Sequence, residues 1–329
     1  MVIKHILLVF LFLAFRLSSS AKVTYNVVTF GAKPDGRSDT KNAFLKAWNL
    51  SCASTSPAII YVPTGRYLIA PALTFSGIEC KSRGITFNIG GTLVAPSSYN
   101  AIGNAQVWIK FYKVNHVTIS GGTLDAQGSS LWACKASGKA CPKGSTTLGI
   151  YHSQNIVISK LRSQRATTAS RSGNSNIWIE KVVCGPGHGI SIGSLGWELE
   201  EPGVQNVTVK TTTFIGTQNG LRIKTWARNS NGFVKDVVFK DATMMKVKYP
   251  IIIDGNYCPD NENCPSQVSG VKINNVVYED VHGTSAKHAW QSTCGFILLL
   301  CCRHCFGITS TYKLSVTSRR VRKMMRWRA

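Results

Sequence analysis

The sequence predicts an all-β chain, a right-handed parallel β-helix (solenoid) with a short N-terminal capping helix. Three observations carry that expectation. Short segments alternating apolar and polar residues recur at a near-constant spacing, and the text between them has no helical period. One amphipathic helix stands near the N-terminus.

Residues 1–21 read as a secretory signal peptide. Lys4 opens a short positive region, Ile6 to Phe15 is an apolar run, and Ser19-Ser20-Ala21 supplies small residues for cleavage. That run is too short to span a bilayer, so no membrane span is expected. Residues 22–285 form the repeat body. Within it, Thr40 to Leu50 places Phe44, Leu45, Ala47 and Trp48 on one helical face, with Asp39 or Thr40 as the cap. This helix is expected to cover the N-terminal end of the stack, because an open end exposes apolar surface.

The repeats begin at Asn115, Asn155, Asn176, Asn206, Asp236 and Gly270. The copies at Asn176, Asn206 and Asp236 are 30 residues apart, and Gly270 follows after 34. Ile177, Ile179, Val207, Val209, Val237 and Phe239 are expected to stack as interior ladders, since one copy cannot bury its own apolar face. The copies at Asn155 and Asn176 are only 21 apart, and Leu161 to Gly173 between them carries no strand pattern. A repeat is expected to be damaged or missing there, an internal deletion near 162–174.

The chain has 329 residues and a formal charge of +23. Residues 126–179 hold seven bases and no acid, and residues 285–329 hold nine bases and no acid. Basicity confined to two segments does not describe a nucleic-acid surface. Secretion permits disulfides among the 11 cysteines: Cys134 with Cys141, Cys258 with Cys264, and Cys52 with Cys80 as a third bridge. No C-x-x-C tetrad suggests a metal site. Asn49-Leu-Ser51 and Asn206-Val-Thr208 match the glycan-acceptor triplet. Residues 286–329 are a divergent, basic, Cys-containing tail, read as intron or out-of-frame text; the last repeat, near Val271, would then present an unpaired edge.

Candidate chemistry gathers on three consecutive copies. His188 sits between Gly187 and Gly189, where no neighbouring side chain shields its ring. Arg222 and Lys224 are two apart on a strand and therefore share a face, 34 residues or about one copy after His188. An imidazole with paired cations suits a carboxylate-bearing ligand. Asp254 and Tyr257 lie one copy further on; Glu180, Glu198, Glu200 and Glu201 flank the His188 turn and are read as surface charge, with substitute acids as the alternative.

Gly187-His188-Gly189 and Arg222-Ile223-Lys224 resemble plant polygalacturonases, the pectin-degrading glycoside hydrolases of family 28. So do Val23 to Gly36 and Gly121 to Gly128. The resemblance runs from about Val23 to Leu161 and from about Asn174 to Ser285. It implies a secreted, monomeric, cofactor-free cell-wall enzyme that hydrolyses α-1,4-galacturonan with inversion. Its partner would be an acidic polysaccharide rather than nucleic acid. It implies His188 as a catalytic residue and Arg222, Lys224 and Tyr257 as substrate contacts, with no metal. It also implies three catalytic aspartates in Asn-Thr-Asp and Asp-Asp motifs between Asn155 and Asn176, and both motifs are absent. The partner cysteine of Cys184 would be lost with them, leaving Cys184 as a free thiol. The resemblance therefore implies a polygalacturonase-like protein with impaired catalysis; a non-catalytic galacturonan-binding solenoid or a truncated gene product are the alternatives.

Overall fold

The computed structural model describes residues 22–164, 166–170, 172–258, 264–265, 267–285, 290–292 and 314–316. The signal-peptide reading, the cysteines from Cys294 to Cys305 and the basic C-terminal run lie outside them. The described strands form two sheets, one of 14 strands and one of eight. All their ladders are parallel; the spacing of 30 appears directly as register, Ile177 against Val207 and Val207 against Val237.

Each rung of the stack crosses both sheets. Val204–Ile215 lies in the larger sheet, Asn219–Thr225 in the smaller, and Phe233–Val247 returns to the larger one. Alternation sends every second residue inward: Ile177, Ile179, Val207, Val209, Val237 and Phe239 are all buried in one continuous apolar core.

The expected open right-handed β-helix (solenoid) of short strands is corrected here. The structure is a closed, barrel-like parallel tube with four short strands off the main path of the larger sheet: Asp35–Asp39, Arg66–Leu68, Arg162–Gln164 and Val183–Cys184. Strands of up to 15 residues turn a corner instead of ending. The corners fall at Lys181, Thr211, Asp241 and Asp280, with φ of 52°, 50°, 52° and 50° respectively. A single left-handed residue swings the strand inward without disturbing the apolar–polar alternation on either side, so the pattern alone does not reveal the closure.

A second line of left-handed residues opens the repeats, at Asn155, Asn176, Asn206, Asp236 and Asn275. Asn tolerates this conformation better than most residues. The side chains also bond from rung to rung: Asn155 donates to Asn115 at 2.8 Å, Asn176 to Asn155 at 2.9 Å and Asn206 to Asn176 at 2.7 Å.

Helix α1, Lys41–Ala53, closes the N-terminal end. It buries Ala43, Phe44, Ala47 and Trp48, while Leu45 packs at the margin of the core. Trp48 stacks among Phe75, Phe87 and Phe111 with ring centres 5.1–6.1 Å away, and its Nε1 donates to the Ser76 carbonyl at 2.9 Å. Burial of such an aromatic contributes roughly 2–3 kcal/mol. Asp39 Oδ1 accepts from the Lys41 amide at 3.0 Å and thereby caps the helix, whereas the Thr40 hydroxyl is turned to the Leu68 carbonyl. The Cys52–Cys80 bridge fastens the end of α1 to the body, and Cys134–Cys141 and Cys258–Cys264 form as well.

The segment without a strand pattern nevertheless carries two strands, Arg162–Gln164 and Ala166–Ser170. The first pairs with Thr123–Asp125 on one side and Val183–Cys184 on the other. The second bridges Leu148–Ile150 and the strand Gly187–Leu195. The 21-residue rung is thus hydrogen-bonded on both sides; backbone pairing needs no apolar alternation, which is why the sequence did not show it. At the other end, Leu314–Val316 pairs with Val281–Gly283 and Trp290–Ser292 with Ile251–Ile253, so the expected bare edge near Val271 is partly covered.

Candidate functional site

Three neighbouring strands of the smaller sheet build the site: Gly187–Leu195, Asn219–Thr225 and Tyr249–Asp254. Register places Ser191 beside Arg222, and Lys224 between Gly193 and Asp254. Adjacent parallel strands lie ~4.8 Å apart, so side chains from consecutive rungs meet on one face. The sequence-suggested residues His188, Arg222, Lys224 and Tyr257 all line one cavity of about 730 Å³, together with Asp254.

His188 is held at the start of its strand by glycines that the packing requires. A Cβ on Gly189 would come 2.1 Å from the Asn219 carbonyl oxygen, so any other residue would push the two rungs apart. The ring of Trp132 covers His188 at 5.0 Å between centres. Trp132 comes from helix α2, Ser129–Ala136, whose loop is closed by Cys134–Cys141. Burial, and then the positive charges of Arg222, Lys224 and Lys135, push the His188 pKa down to about 4; a hydrogen bond with Gln218 opposes them. The neutral form of the imidazole is therefore favoured well below the pH at which a free histidine takes up its proton.

Arg222 donates from Nη2 to Asp254 Oδ2 at 2.7 Å, and its guanidinium lies 5.2 Å from the Tyr257 ring centre. Its buried Nε has no hydrogen-bond partner among the described residues. The Lys224 ammonium sits 4.6 Å over the same ring and is 8% exposed. Arg222, Lys224, Lys135 and Lys143 line the cavity against one carboxylate, Asp254. Such a chamber attracts an anion strongly, and the unpartnered Nε offers a directed donor for it.

The other candidate acids lie elsewhere. Glu180 belongs to the larger sheet and pairs with Lys210 at 3.4 Å. Glu201 accepts from the backbone amides of Gly196 and Trp197 at 2.7 and 2.8 Å, and Glu200 accepts from Asn231. None of these, nor Glu198, lines the cavity. Asp125, near its margin, is paired with Arg66 at 3.4 Å and accepts from the Gln127 amide. Cys184 is a buried free thiol whose pKa burial pushes up to about 12, which makes it unreactive.

Sequence reasoning missed Trp132, Lys135, Gln218 and Trp226 as wall residues. Trp226 continues the spacing of two from Arg222 and Lys224, a signal present in the sequence. Trp132 and Lys135 reach the site from a distant loop, and nothing in their local pattern announces it.

The family model for glycosyl hydrolases family 28 matches this chain over residues 52–170 and 166–309. It therefore extends past Ser285, where the sequence resemblance had been expected to end. A polygalacturonase of Prunus persica is 51% identical over 320 residues, covering 81% of this chain and 81% of the relative. An exopolygalacturonase of Platanus acerifolia is 32% identical, covering 81% of this chain and 84% of the relative. Among solved structures, an endo-xylogalacturonan hydrolase from Aspergillus tubingensis superposes with a TM-score of 0.50 at 17% identity, covering 91% of this chain and 93% of that one. The Prunus match spans 320 aligned positions but only 81% of 329 residues here, about 266, so some 54 positions of the relative face a gap in this chain. The family match falls into two stretches that meet and overlap at residues 166–170, in the segment between Asn155 and Asn176. On this breadth of similarity, the chain belongs to family 28 of the glycosyl hydrolases.

Proposed function

We propose that this chain recognises α-1,4-galacturonan, the acidic backbone of pectin, in the extracellular space or cell wall, with hydrolytic turnover strongly impaired. One observation carries the proposal: four cationic side chains and His188 line a single cavity in which the one carboxylate among the described residues, Asp254, is engaged by Arg222. Arg222 and Lys224 would hold the galacturonate carboxylate, with Tyr257 against the sugar and His188 beside the scissile bond.

Inverting hydrolysis asks for more than grip. One carboxylic acid protonates the leaving oxygen and one carboxylate activates water, the two about 6.5–9.5 Å apart. Asp254 alone does not make that pair. The gap of some 54 positions and the two-part family match support the loss of about two rungs, at ~20–30 residues each, that would have carried the Asn-Thr-Asp and Asp-Asp motifs. Names of the relatives and three disulfides support the polygalacturonan substrate class and the extracellular setting.

The test pairs a reducing-end assay on polygalacturonate with retention on immobilised pectate. Turnover equal to that of His188→Ala, with retention lost in Arg222→Ala/Lys224→Ala, is the expected result. Release of oligogalacturonides at a rate well above His188→Ala overturns the impaired reading; retention unchanged by the double variant overturns the recognition reading.

A further inference from the structure

Beyond the cavity, three aromatic residues stand at the same corner of three successive rungs. Trp197 follows the strand Gly187–Leu195, Trp226 follows Asn219–Thr225, and Tyr257 follows Tyr249–Asp254. Backbone bonds fix the corner: the Trp226 amide donates to the Leu195 carbonyl at 2.8 Å, and the Tyr257 amide to the Thr225 carbonyl at 3.0 Å. The rings then meet edge to face, Trp197 with Trp226 at 4.6 Å and Trp226 with Tyr257 at 5.2 Å, close to the rung spacing itself.

Tyr257 and Trp226 line the cavity, whereas Trp197 lies outside it and is 47% exposed. A large exposed indole is ordinarily mobile, yet this one is fixed on three sides. Trp226 packs against it, the Arg228 guanidinium lies 3.7 Å from its ring centre, and Glu201 accepts from its backbone amide at 2.8 Å. Stacking on the indole presents the N–H edge of Arg228 beside an apolar face. That pairing suits a ligand with a flat hydrophobic sugar face and a negative charge at its rim.

We propose that Trp197 and Arg228 form an outer subsite for a second sugar acid of the same polymer, reached from the cavity along Trp226. The indole takes the ring face, and Arg228 takes the carboxylate. The subsite rests on the galacturonan reading of the cavity and deepens it: recognition extends over several residues of the chain, and the aromatic ladder sets the direction in which the polymer leaves. An uncharged polysaccharide would leave the Arg228 guanidinium with its structural contacts to Trp197 alone and no anion to bind.

Calorimetry with monogalacturonate and hexagalacturonate tests it on the full chain. Trp197→Ala is expected to lower the ratio of hexamer to monomer affinity about tenfold, the scale of a lost aromatic contact. Trp197→Phe should recover most of that ratio. Arg228→Gln should lower it too, and reduce the salt dependence of hexamer binding. Arg222→Ala/Lys224→Ala should instead weaken both ligands alike. A ratio unchanged in Trp197→Ala overturns the outer subsite while leaving the cavity reading intact. Wild-type protein that binds neither ligand overturns both. Thermal melts matched to wild type exclude unfolding as the cause, and a ratio restored by Phe separates stacking from general damage to the corner.

Discussion

Arg222 and Asp254 meet at 2.7 Å across two neighbouring strands, although their own register partners are Ile252 and Lys224. The diagonal bond draws the one carboxylate that lines the cavity among the described residues under a guanidinium. It also leaves a cation, already oriented, facing the space where an anion would sit.

Replacing Asp254 by Asn keeps the shape and removes the competing charge. Asp254→Asn is expected to elute from immobilised pectate at higher salt than wild type, with no loss of whatever turnover is present. Earlier elution would mean that Asp254 is needed to aim Arg222, and that the charge balance matters less than the aim.

The His188 proton is a reporter of the same field. NMR titration of its ring is expected to give a midpoint near 4. Removing a charge in Arg222→Ala, or the covering ring in Trp132→Ala, should move the midpoint up, because each change relieves one cause of the neutral form. The effect on stability has a definite sign. Between the ordinary value of 6.5 and about 4, the unfolded chain binds more protons at this residue than the folded one. Its contribution to stability is complete above about 6.5 and is lost as the pH falls toward 4. A denaturation series from pH 7 to 4 in wild type and His188→Gln isolates that slope; equal slopes in the two proteins would contradict it.

Asn176 links two rungs at once, donating to Asn155 at 2.9 Å and accepting from Asn206 at 2.7 Å, with φ at 55°. Asn176→Ala loses both bonds and forces an unfavourable backbone, for a cost of about 2–3 kcal/mol. Asn176→Gly relieves the backbone and should recover about half of that cost. Urea denaturation of the two variants separates the ladder from the strain.

Grafting the absent stretch tests the chemistry most directly. On the proposed reading, a chimera carrying the Prunus relative's corresponding segment between Leu161 and Asn174 is expected to raise turnover on polygalacturonate by several orders of magnitude. A folded chimera that stays inactive would place the defect elsewhere in the chain.

How much of this could be read from the sequence depended on whether burial left a pattern. Ile177, Val207 and Val237 announced their ladder because strand alternation and burial coincide there. Thr211 and Asp241, where the long strands turn, are polar residues that each follow a lysine, and their left-handed backbone has no compositional sign. The strand Ala166–Ser170 was invisible because main-chain pairing alone holds it in place. Arg222 and Lys224 were legible from spacing, and Tyr257 from resemblance to known polygalacturonases. Trp132 needed the fold, since 56 residues separate it from the ring it covers.

The rung between Asn155 and Asn176 is short yet bonded to its neighbours above and below. Masonry of equal courses keeps standing when whole courses are taken out, provided the faces left behind still match. Architecture of this kind gives its sequence no structural alarm if a segment goes: the building would survive, and only the craft practised on that floor would disappear.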